Sequence, residues 1–191
     1  MLTLCFDGLY QALTEHHPRG SQAGVMCYGW LIERDGVMIA RGHGGYVRAV
    51  EATSNIAEYL ALIEGLSALI DLGCEGETIE VIGDARSVID QMQGAVAVHS
   101  ASTRRLYRRA MRLAGRFHRL VWRWAPRRLN RRADLLSRKA MRQIYANPGR
   151  YRAALEALGA DSGALKEHHR LHSLLDLRIY QPGGMPEALI F

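Results

Sequence analysis

Four acidic residues stand where they could share one site. Asp7 ends an apolar run and is followed by glycine (LTLCFDG). Glu58 lies in the first turn of a long apolar helical pattern (TSNIAEYLALIEGL). Asp84 separates a β-branched run from a helical one (IEVIGDARSVIDQM), and Asp134 opens a further helix after an arginine-rich turn (NRRADLLSRKA). Carboxylates converging from strand ends and helix starts repel one another: two of them about 4 Å apart cost roughly 4 kcal/mol at an effective dielectric near 20. Such a cluster must take up protons or bind cations. Oxygen-only ligation, without His or Cys, favours Mg²⁺ or Mn²⁺ over Zn²⁺. Two such ions about 3.5–4 Å apart activate a water and stabilise the leaving oxygen of an in-line phosphodiester displacement. The chemistry this implies is that of a nuclease.

Three of the four acids also have an ordinary structural explanation. Glu58 could be the third-position glutamate of a capping box begun by Asn55. Asp84 could cap the helix that follows it, and Asp134 could favour the positive end of its helix dipole. Asp7 resists such a reading, because an acid at the end of a buried strand has no cap to make, and Gly8 permits a close approach. The case therefore rests on order and context. Ligands bind beyond the carboxyl ends of parallel strands in an α/β sheet, and Asp7 and Asp84 both lie there if their strands are neighbours.

The elements that would position these acids follow from hydrophobic periodicity. Leu2–Phe6 reads as a buried strand and the HHPRGSQ stretch as a loop. Gly24–Glu33 and Val37–Val47 read as strands joined through Arg-Asp-Gly, a hairpin signal. A helix is expected over Ile56–Leu72 with Gly73 as its stop. Thr78–Ile82 then reads as a strand, Arg86–Met92 as a short helix, Thr103–Phe117 as a helix, Leu120–Trp124 as a strand and Arg132–Ile144 as a helix ended by Asn147-Pro-Gly. The order βββαβααβα predicts an α/β fold, a five-stranded mixed sheet with helices on both faces. The texture changes after Pro148, dividing the chain into a main domain over residues 1–146 and an extension over residues 147–191. In the extension, Arg150–Leu158 and Ala164–Leu175 look helical and Asp176–Tyr180 looks like a strand; it is expected to pack onto the core or a partner chain.

Composition narrows the partner. Hydrophobic residues make up 48% of the 191 residues and charged residues 23%, which fits a globular chain. No apolar run reaches membrane-spanning length, the start lacks a basic leader, and three cysteines without CxxC spacing suit a reduced, cytoplasmic protein. The net charge of +6 hides an asymmetry: twelve arginines and no acid lie between Gln91 and Ala133, leaving 13 basic against 19 acidic residues elsewhere. Arg104, Arg105, Arg108, Arg109, Arg112 and Arg116 fill an arc of about 140° on one helix, opposite Leu106, Tyr107, Ala110, Met111, Leu113 and Phe117. A polyanion such as nucleic acid is the implied partner. His168, His169 and His172 have a helical spacing that could hold a metal, with a solvated helix end as the alternative.

The residues from Met1 to about Ile144 resemble type 1 ribonuclease H. The resemblance rests on Asp-Gly after the first strand, T-S-N-x-A-E-Y-x-A-L at the start of the long helix, D-A-R-S-V at the next strand end, and P-R-x-x-N-x-x-A-D-x-L near the end. It implies the ribonuclease H-like fold and cleavage of the RNA strand of RNA–DNA hybrids by two Mg²⁺ ions, with Mn²⁺ as a substitute, leaving 3′-hydroxyl and 5′-phosphate ends. By position, Asp7 would bridge both ions, Asp134 would help hold the ion that activates water, and Glu58 and Asp84 would hold the other. Substrate contacts are implied for the backbone of Gly8, for Thr53 as a phosphate ligand, and for Ser54, Asn55 and Arg86 in the minor groove, where 2′-hydroxyls distinguish RNA from DNA.

Departures from the family's pattern fall in the substrate-binding loops and in the loop before the last acid. The loop LYQALTEHHPRGSQAG lacks the NPG-type residues of many members. The span between Asp84 and Asp134 is too short for the basic protrusion some members carry, so hybrid affinity is expected from the arginine face of Thr103–Phe117 or from Arg127–Arg132. The loop WAPRRLNRRAD has none of the family's mobile histidine. Double-stranded RNA is a second candidate substrate. The alternatives are another nuclease of the same fold, exonuclease or strand-transfer in type, and a non-catalytic nucleic-acid binder.

Overall fold

Alternating β-branched, aromatic and small residues draw the first third of the chain into three long antiparallel strands. These are β1 (Leu2–Ala12), β2 (Gly24–Arg34) and β3 (Val37–Arg48) in the computed structural model, which describes residues 1–13, 23–160 and 170–181. Asp35 and Gly36, at φ 51° and 80°, make the tight turn between β2 and β3; positive φ at both positions matches the twist of a two-residue hairpin. Helix α1 (Ser54–Asp71) is buried almost all the way round from Ile56 to Leu66, as an apolar helix between a sheet and further helices must be. Then follow β4 (Thr78–Gly83), α2 (Arg86–Met92), α3 (Ala101–Ala114), β5 (Arg119–Trp124), a 3₁₀ turn over Arg127–Leu129, α4 (Arg131–Tyr145), α5 (Pro148–Ala160) and β6 (His172–Tyr180).

The sheet order is β5-β4-β1-β2-β3-β6, with the β1/β4 and β4/β5 pairs parallel and the rest antiparallel. One core lies between the sheet and α1–α3 and holds Leu4, Phe6, Trp30, Leu62 and Val81. A second, around Val25, Cys27, Val47, Met141 and Ile144, lies on the face covered by α4. Every cysteine is free.

Four expectations need correction. The mixed α/β sheet has six strands rather than five, because β6 pairs along β3 from Val47↔His172 to Ala40↔Tyr180. Without it, β3 would present a long unpaired edge. The helix expected over Ala164–Leu175 does not extend through His172–Leu175, which are strand, so His172 has no helical spacing to offer; His168 and His169, like the HHPRGSQ loop and the final residues, fall outside the described residues. Strand β1 continues past Phe6 to Ala12 because β2 pairs with it along that whole length. Helix α3 stops at Ala114, leaving Arg116 and Phe117 beyond it, and Met111 is 40% exposed rather than on the packed face.

Candidate metal centre

The site begins at a step in the sheet. The parallel ladder of β1 with β4 ends at Phe6↔Gly83, while β1 runs on beside β2. Asp7 is the first residue of β1 beyond that step, and Asp84 the first after β4. Two glycines bring helices down onto it. A Cβ at Gly8 would lie 2.2 Å from the Glu58 backbone nitrogen and 2.3 Å from the Ala57 carbonyl carbon. A Cβ at Gly29, the cross-strand partner of Asp7, would lie 2.5 Å from the Ser137 nitrogen and 2.6 Å from the Ala133 oxygen. A side chain at either position would push α1 or α4 off the sheet and carry an acid away with it.

Asp7, Glu58 and Asp84 thereby offer carboxylate oxygens within 4.8 Å of one another. Asp7 and Glu58 are buried and Asp84 half-buried. Ser137 Oγ donates to Asp7 Oδ2. Asn130 Nδ2 donates to the Phe6 carbonyl at 2.7 Å and to Asp84 Oδ1 at 3.3 Å, and Trp124 Nε1 donates to the Asp84 carbonyl at 3.0 Å. The backbone of Gly8 gives Glu58 one hydrogen bond, but Glu58 Oε2 is buried with no partner.

Burial pushes the Asp7 carboxyl up to about 7, and the neighbouring charges of Asp84 and Asp134 add to the rise against the Ser137 hydrogen bond. Burial, then Asp7 and Asp84, push Glu58 well above the usual carboxylate range. Three crowded carboxylates, one of them with a buried oxygen that has no partner, fit a hard divalent cation, which Asp7, Glu58 and Asp84 could hold.

Asp134 stands apart. It lies in the first turn of α4 and takes hydrogen bonds from Arg127 and, at 2.9 Å, from Arg138. Burial pushes its carboxyl up, but the two guanidinium groups outweigh burial and hold it below the usual range. Its charge still reaches Asp7.

Two structural roles weighed for the acids do not apply. Thr53 caps α1, its Oγ1 accepting from the Ile56 nitrogen at 3.2 Å, so Glu58 belongs to no capping box begun by Asn55. The residue before α2 is Ala85, with no side-chain cap, so Asp84 caps nothing. The expected substrate contacts line the same edge. Ser54 is exposed at the start of α1, and Asn55 Oδ1 accepts from Ser87 Oγ at 3.2 Å. Arg86 lies 5.4 Å from the centroid of the Trp124 ring and 3.6 Å from Asp90. Sequence reasoning passed over Ser137, Trp124 and the two arginines on Asp134. The 130, 134, 137 spacing of Asn130, Asp134 and Ser137 puts them on one helix face and could have revealed the first.

Residues 12–140 match the model of a family described as reverse transcriptase-like. The bifunctional protein Rv2228c of Mycobacterium tuberculosis is 39% identical over 90 residues, 47% of this chain. The chain covers only 24% of that relative's length. The solved RNase H1 of Halobacterium salinarum is 33% identical, with a TM-score of 0.59 over 74% of this chain and 98% of that one. LC11-RNase H1, solved in complex with an RNA/DNA hybrid, is 25% identical, with a TM-score of 0.62 over 76% of this chain and 99% of that one.

Proposed function

We propose, from the premise that the chain belongs to the reverse transcriptase-like family and within it to the type 1 ribonucleases H, that it hydrolyses the RNA strand of RNA–DNA hybrids with two divalent cations, Mg²⁺ or Mn²⁺, leaving 3′-hydroxyl and 5′-phosphate ends. The observation that carries this reading is the convergence of Asp7, Glu58 and Asp84, with Glu58 Oε2 buried and unpartnered. The similarity to LC11-RNase H1, whose structure contains an RNA/DNA hybrid, supports the substrate class.

Bound cations would supply charge neutralisation and lower the pKa of an attacking water. The chain's own groups prepare for this. Ser137 and Asn130 fix the carboxylates of Asp7 and Asp84 before any ligand arrives, so little reorganisation is left for the reaction. Asp7 and Glu58 give up protons as cations bind. Asp134 would complete the set on exchanging Arg127 and Arg138, both roughly half-exposed, for a cation. Ser54, Asn55 and Arg86 lie along the edge where a minor groove would present 2′-hydroxyls.

Matched RNA–DNA, RNA–RNA and DNA–DNA duplexes incubated with Mg²⁺ test the reading. Cleavage of the hybrid's RNA strand, lost in Asp7→Asn and Asp84→Asn with binding retained, is expected. Wild-type rates in Asp84→Asn would refute the assignment.

A further inference from the structure

Helix α3 carries its arginines in two adjoining rows, Arg104, Arg108 and Arg112 in one and Arg105 and Arg109 in the other, all exposed. The opposite face is spent on packing: Leu106 and Ala110 are buried in the core beside α1, and Tyr107 meets the Tyr59 ring edge-on at 6.4 Å. Like charges four residues apart destabilise a helix by about 0.2–0.5 kcal/mol per pair. No acid between residues 91 and 133 offsets this, and among the described residues only Arg109 of the two rows is close enough to Glu64 to favour its charge. Arg104 donates to the carbonyls of Val98 and His99, and Arg116, past the helix end, pairs with Glu75 at 2.7 Å. Among the described residues, Arg105, Arg108, Arg109 and Arg112 donate to no carboxylate.

The rows have a direction. At the C-terminal end, Arg116 and the His118 nitrogen both bond Glu75, just ahead of β4. At the other end Arg105 is close enough to Arg48, the last residue of β3, to repel it. The end of β3 lies at the same end of the sheet as the acids but further along it: Asp7 aligns through Gly29 with His43, and Arg48 aligns through Gly24 with Ala12. The arginines therefore start at the end of the sheet beyond the acids and run back along the strands, past their level, toward Glu75. At 1.5 Å per residue the helical rows span about 12 Å, or three to four nucleotide steps of about 3.4 Å.

We propose that this face of α3 is a docking surface for the phosphate backbone of a nucleic-acid duplex. It holds the duplex by charge and leaves selection of the sugar to the edge carrying the acids, since phosphate contacts position a duplex without specifying it. A membrane-surface helix would need a free apolar face, and that of α3 is already buried. Guanidinium groups repeated at a fixed pitch suit a polyanion with a regular repeat. The choice of a duplex as the polyanion rests on the ribonuclease H reading above.

The test replaces Arg105, Arg108, Arg109 and Arg112 together by Gln, which keeps helix propensity nearly unchanged; circular dichroism checks the fold. Binding of fluorescent RNA–DNA, RNA–RNA and DNA–DNA duplexes is titrated against salt in the Asp84→Asn background of the same chain, where cleavage does not interfere. The slope of log affinity against log salt should fall by about 2–4, and affinity at about 0.1 M salt by on the order of ten- to a hundred-fold, equally for all three duplexes. In the otherwise wild-type protein, the same four changes should raise KM while kcat at saturating hybrid stays within about twofold. An unchanged salt slope overturns the proposal and leaves the face to solvent or an acidic protein. A variant that loses slope in a protein that never cuts hybrids would overturn the ribonuclease reading and keep the docking surface.

Discussion

Glu58 and Glu64 sit on the same helix, less than two turns apart, at 8% and 4% exposure. Burial raises the pKa of both. Their surroundings are opposite. Glu64 accepts from Tyr46 Oη at 3.0 Å and from Arg178 at 2.7 Å, and Arg178 goes on to Asp71 at 3.0 Å. Glu58 has two carboxylates for neighbours and an oxygen with nothing to bond. A buried acid with its own cation is part of the fold, whereas a buried acid among other acids could take a cation from outside. Burial does not separate the two; compensation does.

The largest effects should follow that line. Glu58→Gln is expected to lower hybrid cleavage by on the order of 10³-fold, about 4 kcal/mol of barrier, with no loss of thermal stability. Glu64→Gln should leave cleavage by the folded protein within a few-fold. Comparable losses of cleavage in both would erase the distinction. The converse substitution acts on stability. Arg178→Met leaves Glu64 buried without its guanidinium, and because Arg178 is itself partly exposed we expect a loss of about 2–3 kcal/mol, read by urea unfolding. Glu64→Gln in the same chain should recover most of it. If Arg178→Met unfolds at the wild-type midpoint, the ion pair contributes nothing and β6 is held by its backbone ladder, the buried Leu174 and the Tyr28–Asp176 hydrogen bond.

This contrast also marks what the sequence could and could not convey. Asp7, Glu58 and Asp84 were legible because strand ends and helix starts are local features, and topology rules bring such ends to one edge. The first half of β1, most of β2 and β3, and the Asp35-Gly36 turn were legible for the same reason, whereas the second half of β1 is fixed only by its pairing with β2. Arg178 was not, since it reaches Glu64 across 114 positions and only pairing of β6 with β3 brings them together. The helical reading of Ala164–Leu175 concealed the start of that strand. Ser137 is weakly legible: its spacing puts it on the helix face of Asn130 and Asp134, but only the position of β1 beneath that face makes it a partner of Asp7. The arginines around Asp134 were counted as general positive charge rather than as partners of one carboxylate.

Cation removal should expose the strain that Glu58 and Asp7 share. In the folded, metal-free protein Asp7 keeps its proton up to about pH 7, whereas in the unfolded chain it loses it near 3.8. Between those values the folded state binds more protons, so stability falls as pH rises from about 4 to about 7 and levels off above. Thermal melts in EDTA should therefore show Asp7→Asn more stable than wild type by about 2 kcal/mol at pH 8 and close to it at pH 4. Mg²⁺ should raise the wild-type melting temperature at pH 8, by mass action on the folded state, and do little for Asp7→Asn. Parallel pH profiles for the two proteins would mean that Ser137 and solvent already satisfy Asp7.

The smallest effect concerns the acid that already has a cation. Arg127 and Arg138 neutralise Asp134, so a divalent ion claiming Asp134 must displace guanidinium groups. Arg127 is more than half exposed, and an exposed ion pair contributes only about 0.2–1 kcal/mol. Arg127→Gln should then tighten Mn²⁺ binding, measured by calorimetry without nucleic acid, by about two- to five-fold, with Arg138 still holding the carboxylate. Asp134→Asn together with Arg127→Gln should bind no more tightly than Asp134→Asn alone, because there is then no carboxylate to release. Weaker Mn²⁺ binding in Arg127→Gln would show that the arginine orients Asp134 for the ion rather than competing with it, and would move Asp134 to the same side of the comparison as Glu58.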